Sequence, residues 1–510
     1  MPLYLKKALF VLLFTAISLA AAAEYPLDYE VEFSANAGSG NFAPYYIASN
    51  DYGRISQPYG ARLEASLWRK MDMSKRFSYG FGVDLIGGWD SKTDYWRWSQ
   101  ESSSWYKHKQ GPAPFRVQQL YGEVKYRCLF LQVGLKEHGS WMLDNSLSSG
   151  DLIQSANARP MPEVRIGFVD YQNIPFTKGW VQFYCVLSIA KATDNDWIRN
   201  HYNFYASHYT TGTWYSYKSA YFRTNPDKRL CFIAGLQGAS QAAGTTYRYR
   251  YGKENGIIRE PFKFRTIIDL IIPNLGENFY NGNHVGSLDA KLRYRLPAGD
   301  IAAYFQWPFE DGSGLAKLNG FDGLWGLSFH PSSSSWLKDV VVEYLDLTNQ
   351  SGPMHWAPGD HPGTTITTSI TGFDNYYNNY QFNGFAYYGM SIGSPFVPST
   401  IYNLNGSMDF VCNRVRGVHF ALETQSIAGF SGKCMFSWRK GWGTGELPFT
   451  SAVYNTSAMI SLAYNPVRLP NLSVKASLAM DRGKMYGNNF GAMLSATWSG
   501  DFDLIKIFKK

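Results

Sequence analysis

Two stretches of the sequence mix aromatic side chains with amides, carboxylates and hydroxyls at close spacing. The first runs from Trp89 to Tyr106 and the second from Asp374 to Tyr388. A sugar ring presents apolar C–H faces that stack on aromatic rings, and hydroxyls that need hydrogen-bond partners, so this mixture predicts carbohydrate binding. The candidate residues are Trp96, Trp98 and Trp105 in the first stretch and Asp374, Asn375, Tyr376, Tyr377 and Asn379 in the second. For any single ring, the alternative is packing within a loop or at a membrane interface.

Arg159 and Glu163 flank a Pro-Met-Pro sequence in a segment that lacks the pattern of a regular strand. We expect this segment to fold into the interior of the protein, where the two side chains pair with each other or meet an acidic sugar. A structural ion pair is the alternative interpretation. Both residues are therefore candidates for polysaccharide binding.

Sequence motifs of enzymes and metal sites are weak in this chain. Gly389-Met-Ser-Ile-Gly393 matches G-x-S-x-G, but a nucleophile elbow requires a helix after the serine, and Pro395 and Pro398 follow at once. Glu310–Gly314 offers oxygen ligands and glycines without the spacing of a calcium loop, which favours a turn. The sequence contains no H-E-x-x-H, phosphate-loop or complete G-x-G-x-x-G motif. It predicts no catalytic residue, no cofactor and no metal site.

The elements that must position these residues are strands. From Leu288 to Leu296, one face carries leucine, alanine and tyrosine and the other carries only charged side chains, in strict alternation. Charged groups do not pack in a dry core and apolar groups avoid water, so this strand must separate two environments. A half-buried soluble sheet meets that requirement, and so does a transmembrane barrel with lipid outside and a polar interior. The two differ in how often the pattern recurs.

The same alternation recurs nearly from end to end of the chain, in the segments 61–67, 77–85, 120–135, 181–189, 472–481 and 492–498. Aromatic residues make up 17% of the chain although the mean hydropathy is only −0.27, which is typical of a barrel whose apolar residues occupy alternate positions. After the N-terminal segment there is no apolar run of about 18 residues, which excludes helical membrane spans. A closed barrel also leaves no exposed sheet edges. At about 10 residues per tilted strand, the sequence predicts a single-chain, all-β, transmembrane antiparallel outer-membrane β-barrel of roughly 16 to 20 strands.

Residues 1–23 have the composition of a cleaved secretory signal peptide, because Lys6 and Lys7 precede an apolar run that ends in three alanines. We expect residues 24–510 to form the barrel. Removal of the signal takes two lysines with it, so the net charge falls from +8 to +6. This mild charge, with no basic cluster on a helical face, does not indicate a nucleic-acid partner. The five cysteines are widely spaced and odd in number, which predicts small side chains on strands rather than a disulfide framework.

Several short segments, in a constant order along most of the chain, are similar to the capsule assembly Wzi-type outer-membrane proteins, especially to their shorter Bacteroidetes-like branch. They include residues 43–54, 147–150, 155–163, 282–284, 310–314, 322–326, 374–379, 389–395 and 413–414. The resemblance implies a barrel of about 18 strands, within the size range of outer-membrane barrels. It also implies a non-catalytic, lectin-like protein that holds secreted polysaccharide at the bacterial cell surface. Unlike the better-known enterobacterial members, this chain enters strand-patterned sequence directly after the signal and shows no N-terminal helical bundle.

These observations predict a barrel that anchors or helps to assemble capsular or extracellular polysaccharide at the surface of a Gram-negative cell. Its other partners would be outer-membrane lipid and lipopolysaccharide, and the resemblance favours a monomer. The alternative function is a porin-like diffusion channel for small charged or sugar solutes, selected by charged side chains in the lumen. A closed lumen favours anchoring, whereas strong ion conductance favours the channel.

Overall fold

The structure is a computed structural model that describes residues 27–271, 282–310, 312–315, 317–332, 335–351 and 374–502. The predicted signal peptide, residues 1–23, lies outside the described residues. The boundary between signal and barrel therefore stays a prediction.

The described chain is built almost wholly of strands. In chain order they are β1 (Leu27–Ser39), β2 (Gly60–Arg69), β3 (Phe77–Asp90), β4 (Thr93–Ser99), β5 (Ser104–Gln110), β6 (Phe115–Tyr126), β7 (Leu129–Leu135), β8 (Pro162–Phe168), β9 (Gln172–Asn173), β10 (Val181–Lys191), β11 (Ser207–Thr211), β12 (Trp214–Thr224), β13 (Leu230–Ala242), β14 (Gly244–Arg250), β15 (Lys253–Glu260), β16 (Asn283–Leu296), β17 (Gly299–Phe309), β18 (Gly323–Pro331), β19 (Leu337–Asp346), β20 (Ala386–Tyr387), β21 (Met390–Ser391), β22 (Val415–Thr424), β23 (Phe430–Gly443), β24 (Pro448–Tyr464), β25 (Leu472–Gly483) and β26 (Asn489–Phe502). The helices are α1 (Tyr45–Ala48), α2 (Asn195–His201), α3 (Phe264–Ile271) and α4 (Gly312–Leu315), with a 3-10 turn at Thr400–Tyr402.

Eighteen strands form one closed antiparallel barrel. The barrel closes where β1 pairs with β26, from Leu27 opposite Phe502 to Ser39 opposite Phe490. The short strand β9 continues the line of β8, because both pair with β10 on either side of a break. The all-β transmembrane barrel of about 18 strands predicted from the sequence is confirmed.

The two faces of the barrel wall carry opposite kinds of side chain. On β24, the side chain of Ile460 is 68% exposed on the outside, whereas the adjacent Ser461 is buried inside. On β16, Leu292 and Tyr294 point outwards while Asp289 is buried. An apolar outer surface of this kind is stable in contact with hydrocarbon rather than water. The period-two pattern of the sequence thus marks which side chains face lipid.

The two ends of the barrel differ in the length of their connections. At one end, two residues join β6 to β7 and two join β16 to β17, and the terminal strands β1 and β26 begin and end there. We call this the short-turn end. At the other end, the long-loop end, residues 91–114, residues 192–213 and the described residues 243–271 form long excursions between barrel strands.

The remaining elements of the described residues are small. None of the helices in that part of the chain has the length and apolarity needed to cross a bilayer. All five cysteines are free thiols, as the sequence predicts, and two of them, Cys231 and Cys412, are buried. The strands, not helices or disulfides, therefore hold the structure.

Replacement of Leu292 by Arg should destabilise the barrel by roughly 2–4 kcal/mol, because this outward position lies inside the apolar band of β16. Leu296→Arg on the same strand is the matched control. It lies at the strand end, so its effect should be only about 0–1 kcal/mol. The measurement is the free energy of urea-induced unfolding in lipid vesicles. Equal effects of the two substitutions would contradict the assignment of the outer face.

Candidate functional site

Three inward-folded segments fill the lumen of the barrel. They are residues 40–59 between β1 and β2, residues 136–161 between β7 and β8, and residues 374–414, the described part of the connection between β19 and β22. We call these segments together the plug. They contain fully buried apolar side chains, among them Leu147, Phe396 and Phe410. The polar interior that the sequence predicts is therefore filled with polypeptide.

Polar side chains of the inner wall hold the plug by hydrogen bonds. The carboxylate of Glu343 accepts a hydrogen bond from the hydroxyl of Ser148 at 2.8 Å and one from the backbone N–H of Ser149 at 2.6 Å. From the opposite direction, the amide of Gln306 donates to the carboxylate of Asp151 at 2.7 Å. Buried polar groups are expensive unless they are hydrogen-bonded, so wall and plug satisfy each other.

Arg54 joins two plug segments to the wall. Its guanidinium lies 2.7 Å from Glu137 of the second plug segment and 2.7 Å from Glu64 of β2, and 3.3 Å from Asp84 of β3. Three carboxylates thus surround one cation. Without Arg54 they would repel one another.

Arg439 of β23 joins the plug to the wall in a different way. Its guanidinium carbon lies 3.7 Å from the ring centre of Tyr45, 4.4 Å from that of Phe396 and 4.8 Å from that of Tyr486. The side chain is fully buried. Cation–π attraction is strongest when the cation is desolvated, so this cluster ties α1 and the third plug segment to the barrel.

Tyr376 and Tyr377 belong to the core of the plug. Only 2% and 4% of their surfaces are exposed. The hydroxyl of Tyr376 donates to Asp322 at 3.2 Å, and that of Tyr377 donates to the carbonyl of Leu152 at 2.6 Å. The expectation that these two rings face a polysaccharide is not met by the structure, because both rings are buried.

The polar neighbours of these tyrosines are also used within the plug. Asp374 is buried and accepts a hydrogen bond from Ser351 at 2.6 Å. Asn375 accepts one from Asn413 at 2.5 Å. Asn379 caps the turn that follows it by accepting from the backbone N–H of Gln381 at 2.9 Å. The side chains of Asp374, Asn375 and Asn379 therefore stabilise the conformation of the third plug segment.

Arg159 and Glu163 face the same inner cavity of about 70 Å³, but among the described contacts they do not pair with each other. Glu163 Oε1 lies 2.9 Å from His138 Nε2 and 3.6 Å from Arg165 Nη1. The guanidinium of Arg159 instead lies over the ring of Tyr388, at 4.4 Å. The expected inward fold of this segment is correct, and the expected ion pair between the two residues is wrong, because each has a nearer partner.

The first aromatic stretch lies outside the barrel, at the long-loop end. There β4 and β5 form a hairpin that carries Trp98 opposite Trp105. The rings of these two tryptophans are 5.5 Å apart, and the ring of Tyr205 lies 5.0 Å from each. Tyr251, in the turn between β14 and β15, lies 6.4 Å from Tyr205. We call Trp98, Trp105, Tyr205 and Tyr251 the crown.

The crown presents ring surface to solvent. Trp105 is 41% exposed and Tyr251 is 69% exposed. Trp96, on the same hairpin, is also exposed, with the ammonium group of Lys107 5.6 Å from its ring centre. Of the predicted site residues, the structure therefore brings Trp98 and Trp105 together in an accessible cluster with Trp96 beside them.

Tyr205 and Tyr251 were not among the predicted site residues. A sequence signal for Tyr251 exists, because residues 247–251 read Tyr-Arg-Tyr-Arg-Tyr, the same mixture of rings and polar groups used above. Tyr205 has a weaker signal of the same kind in the segment 202–209. Their approach to the tryptophans depends on three different loops meeting, which local sequence does not encode.

The crown loops are fixed by a buried histidine. The ring of His201, at the end of α2, stacks on that of Trp197 with centres 4.6 Å apart, and meets the edge of Tyr95 at 4.7 Å. Burial lowers the pKa of His201 to about 3, so its imidazole is neutral. Burial raises the pKa of Asp194, in the same loop, to about 6.

Comparison with known proteins identifies the fold. No family model and no curated protein sequence matches the chain. Among solved structures, the chain is similar to Wzi, an outer membrane protein involved in group 1 capsule assembly in Escherichia coli and described as a carbohydrate binding β-barrel. The sequences are 13% identical, the match covers 95% of this chain and 87% of that chain, and the TM-score is 0.54.

Two further solved structures match with lower TM-scores and add no argument. Acinetobacter baumannii OccAB2 is 9% identical over 94% of this chain and 98% of its own, with a TM-score of 0.45. Pseudomonas aeruginosa OpdK, solved with vanillate, is 9% identical over the same shares, with a TM-score of 0.46. The resemblance to Wzi-type proteins deduced from the sequence is confirmed at the level of the fold, which is that of a bacterial outer-membrane barrel.

Replacement of His201 by Phe should make the crown loops more resistant to acid. Below pH 6.5 an unfolded loop binds a proton on His201, whereas the folded loop excludes that proton down to about pH 3. The folded loops of the wild type therefore lose stability as the pH decreases through this range. Phe keeps a ring and does not titrate. The stability of the variant relative to the wild type should therefore rise as the pH falls from 6 to 4, by up to about 1.4 kcal/mol per unit.

The measurement is amide hydrogen exchange of residues 192–213, corrected for the intrinsic pH dependence of exchange. Asp194 acts in the opposite direction, because its pKa is raised from 3.8 to about 6. It titrates in both proteins and so cancels in the difference. A difference that does not change with pH would show that His201 is accessible to protons in the folded loops.

Proposed function

We propose that this protein is a non-enzymatic barrel that holds polysaccharide at the outer surface of the cell, and that the crown is its contact site. The observation that carries the proposal is the cluster of exposed rings at the long-loop end. Outer-membrane barrels have short periplasmic turns and longer extracellular loops, so the long-loop end is assigned to the outside. The similarity in fold to a carbohydrate binding barrel supports the same function.

The chemistry of the crown suits a glycan chain. Trp105 and Tyr251 offer ring faces on which the apolar side of a sugar can stack. Lys107 beside Trp96 and Arg250 beside Tyr251 supply N–H donors for hydroxyl or carboxylate oxygens. Arg250 lies 5.4 Å from the ring centre of Tyr251, so donor and ring can meet the same sugar residue.

The plug argues for anchoring and against free diffusion. A diffusion channel needs a continuous aqueous path, whereas the wall and the plug here are joined by hydrogen bonds and by Arg54 and Arg439. The described residues also contain no group of three or more His, Cys, Asp or Glu side chains placed to bind a metal ion. We therefore propose a binding role in which the barrel is the membrane anchor, surrounded as a monomer by lipid and lipopolysaccharide.

Trp105→Ala and Tyr251→Ala should each weaken the binding of surface polysaccharide from the same cell by about fivefold, which corresponds to roughly 1 kcal/mol for the loss of one stacking ring. The double variant should bind more weakly than either single variant. Binding is measured by immobilising the detergent-solubilised protein and titrating the polysaccharide. Trp180→Ala is the matched control, because Trp180 is also an exposed tryptophan but lies at the short-turn end. A double variant that binds as the wild type does, or cells lacking the protein that keep normal surface glycan, would contradict the proposal.

Arg54→Met should loosen the plug, because Glu64, Asp84 and Glu137 then face one another without the shared cation. We expect the wild-type protein to conduct ions weakly in a planar bilayer and the variant to show openings of several-fold larger conductance. Arg293→Met is the control, because Arg293 contacts the short-turn end of the wall through Asp300 and the carbonyl of Pro226. Strong conductance by the wild-type barrel would favour the porin-like channel instead.

A further inference from the structure

A second cavity, of about 300 Å³, lies in the lumen at the short-turn end, beneath the second plug segment. Met71 and Met73 of the β2–β3 turn lie at its mouth. Its polar lining includes Glu123, Lys136, Glu137, His138 and Arg165, together with Gln132, Ser140 and Ser219. We call this cavity the vestibule. Its volume is in the range of small-ligand pockets, roughly 300–1,000 Å³.

One wall of the vestibule is an aromatic platform. The ring of Trp141 is parallel to that of Tyr184, with an interplanar angle of 3° and centres 4.0 Å apart. Tyr184 is buried in β10, which fixes the position of the pair. Trp141 nevertheless remains 44% exposed. One face of the indole is therefore covered by Tyr184 and the other is free to stack on a ligand.

The vestibule also contains an unsatisfied donor. The side chain of Arg165 is only 7% exposed, and its Nη1 lies 3.6 Å from the nearest oxygen of Glu163, which is too long for a hydrogen bond. Within the described residues this nitrogen has no hydrogen-bond partner. A buried donor without a partner is costly and rare. Nη1 itself has almost no accessible surface, so a ligand oxygen completes its hydrogen bond when the guanidinium turns towards the cavity that Arg165 lines.

The charges of the vestibule balance. Its lining contains two cations, Lys136 and Arg165, and two carboxylates, Glu123 and Glu137, and Lys136 lies 2.6 Å from Glu123. A charged ligand would upset that balance and leave one charge unpaired in a low-dielectric site. Sugar hydroxyls both donate and accept, so a neutral sugar can bond to carboxylates and cations of the lining alike.

We propose that the vestibule is a second carbohydrate site, distinct from the crown, that takes one neutral sugar ring or the end of a neutral glycan from the short-turn side. The ring stacks on the free face of Trp141, and one of its hydroxyl oxygens accepts a hydrogen bond from Arg165 Nη1. The site does not depend on the crown, because it lies at the opposite end of the lumen and shares no residue with it.

The test is saturation-transfer NMR on the full-length protein in detergent, with the methyl glycosides of glucose, galactose, mannose and N-acetylglucosamine as probes and methyl glucuronide as the charged probe. All proteins carry both Trp105→Ala and Tyr251→Ala, which remove the two exposed rings of the crown, so the result does not depend on the function proposed above. At least one neutral glycoside should give a signal. That signal should fall at least fivefold on addition of Trp141→Ala, and also on addition of Arg165→Met.

Trp180→Ala is the matched control for an exposed tryptophan at the same end, and it should leave the signal unchanged. Trp141→Phe, which keeps an aromatic face, should retain part of the signal and guards against misfolding of the alanine variant. The proposal is overturned if no neutral glycoside gives a signal, if the signal is indifferent to Trp141→Ala and Arg165→Met, or if Trp180→Ala reduces it equally. A stronger signal from methyl glucuronide than from every neutral probe overturns the assignment to a neutral sugar.

Discussion

The structure depends on one constraint: every polar side chain that the wall turns inward must find a partner. A period-two strand with lipid on one side forces half of its residues into the lumen, and in this chain those residues include carboxylates, amides, a histidine and Arg439. Bulk water could satisfy them in an open pore. Here the partners are supplied by polypeptide, as when Glu343 accepts from Ser148 and the backbone of Ser149. The plug satisfies the polar groups of the inner wall, and the same hydrogen bonds hold the plug in its folded conformation.

The crown rests on this plug. The backbone N–H of Trp96 donates to the carbonyl of Leu404 at 2.8 Å, and the hydroxyl of Tyr95 donates to the carbonyl of Ile401 at 2.9 Å. Both acceptors belong to the third plug segment. The exposed rings are therefore attached to a filled lumen instead of to loops that stand free of the barrel. Rings held in place lose little conformational entropy when a ligand binds, which suits weak contacts repeated along a polymer.

The two aromatic stretches both mix rings with polar side chains, but they take opposite positions. Trp105 lies in a hairpin that leaves the barrel, whereas Tyr377 turns into it and bonds to Leu152, a residue 225 positions away in the chain. Both mixtures of rings and amides fit a sugar, and both fit a buried polar core. Sequence alone therefore gave one expectation, polysaccharide binding, for all four residues. The structure leaves Trp105 exposed and Trp98 partly exposed, whereas Tyr376 and Tyr377 are buried, so for the two tryptophans the expectation stays a prediction.

By itself, the sequence determined the barrel, the faces of its strands and the closing strand near Trp498. The reason is that alternation along a strand is local: whether each side chain is polar or apolar indicates whether it faces the lumen or the lipid. It also indicated that the segment around Arg159 folds inward, because that segment lacks a strand pattern. Only the tertiary structure decided which loops enter the lumen, that Glu163 meets His138 instead of Arg159, and that Trp98, Trp105, Tyr205 and Tyr251 converge. Those outcomes are set by contacts between segments far apart in the chain. The free energy of these contacts depends on the shape of the closed lumen, and no local sequence pattern encodes that shape.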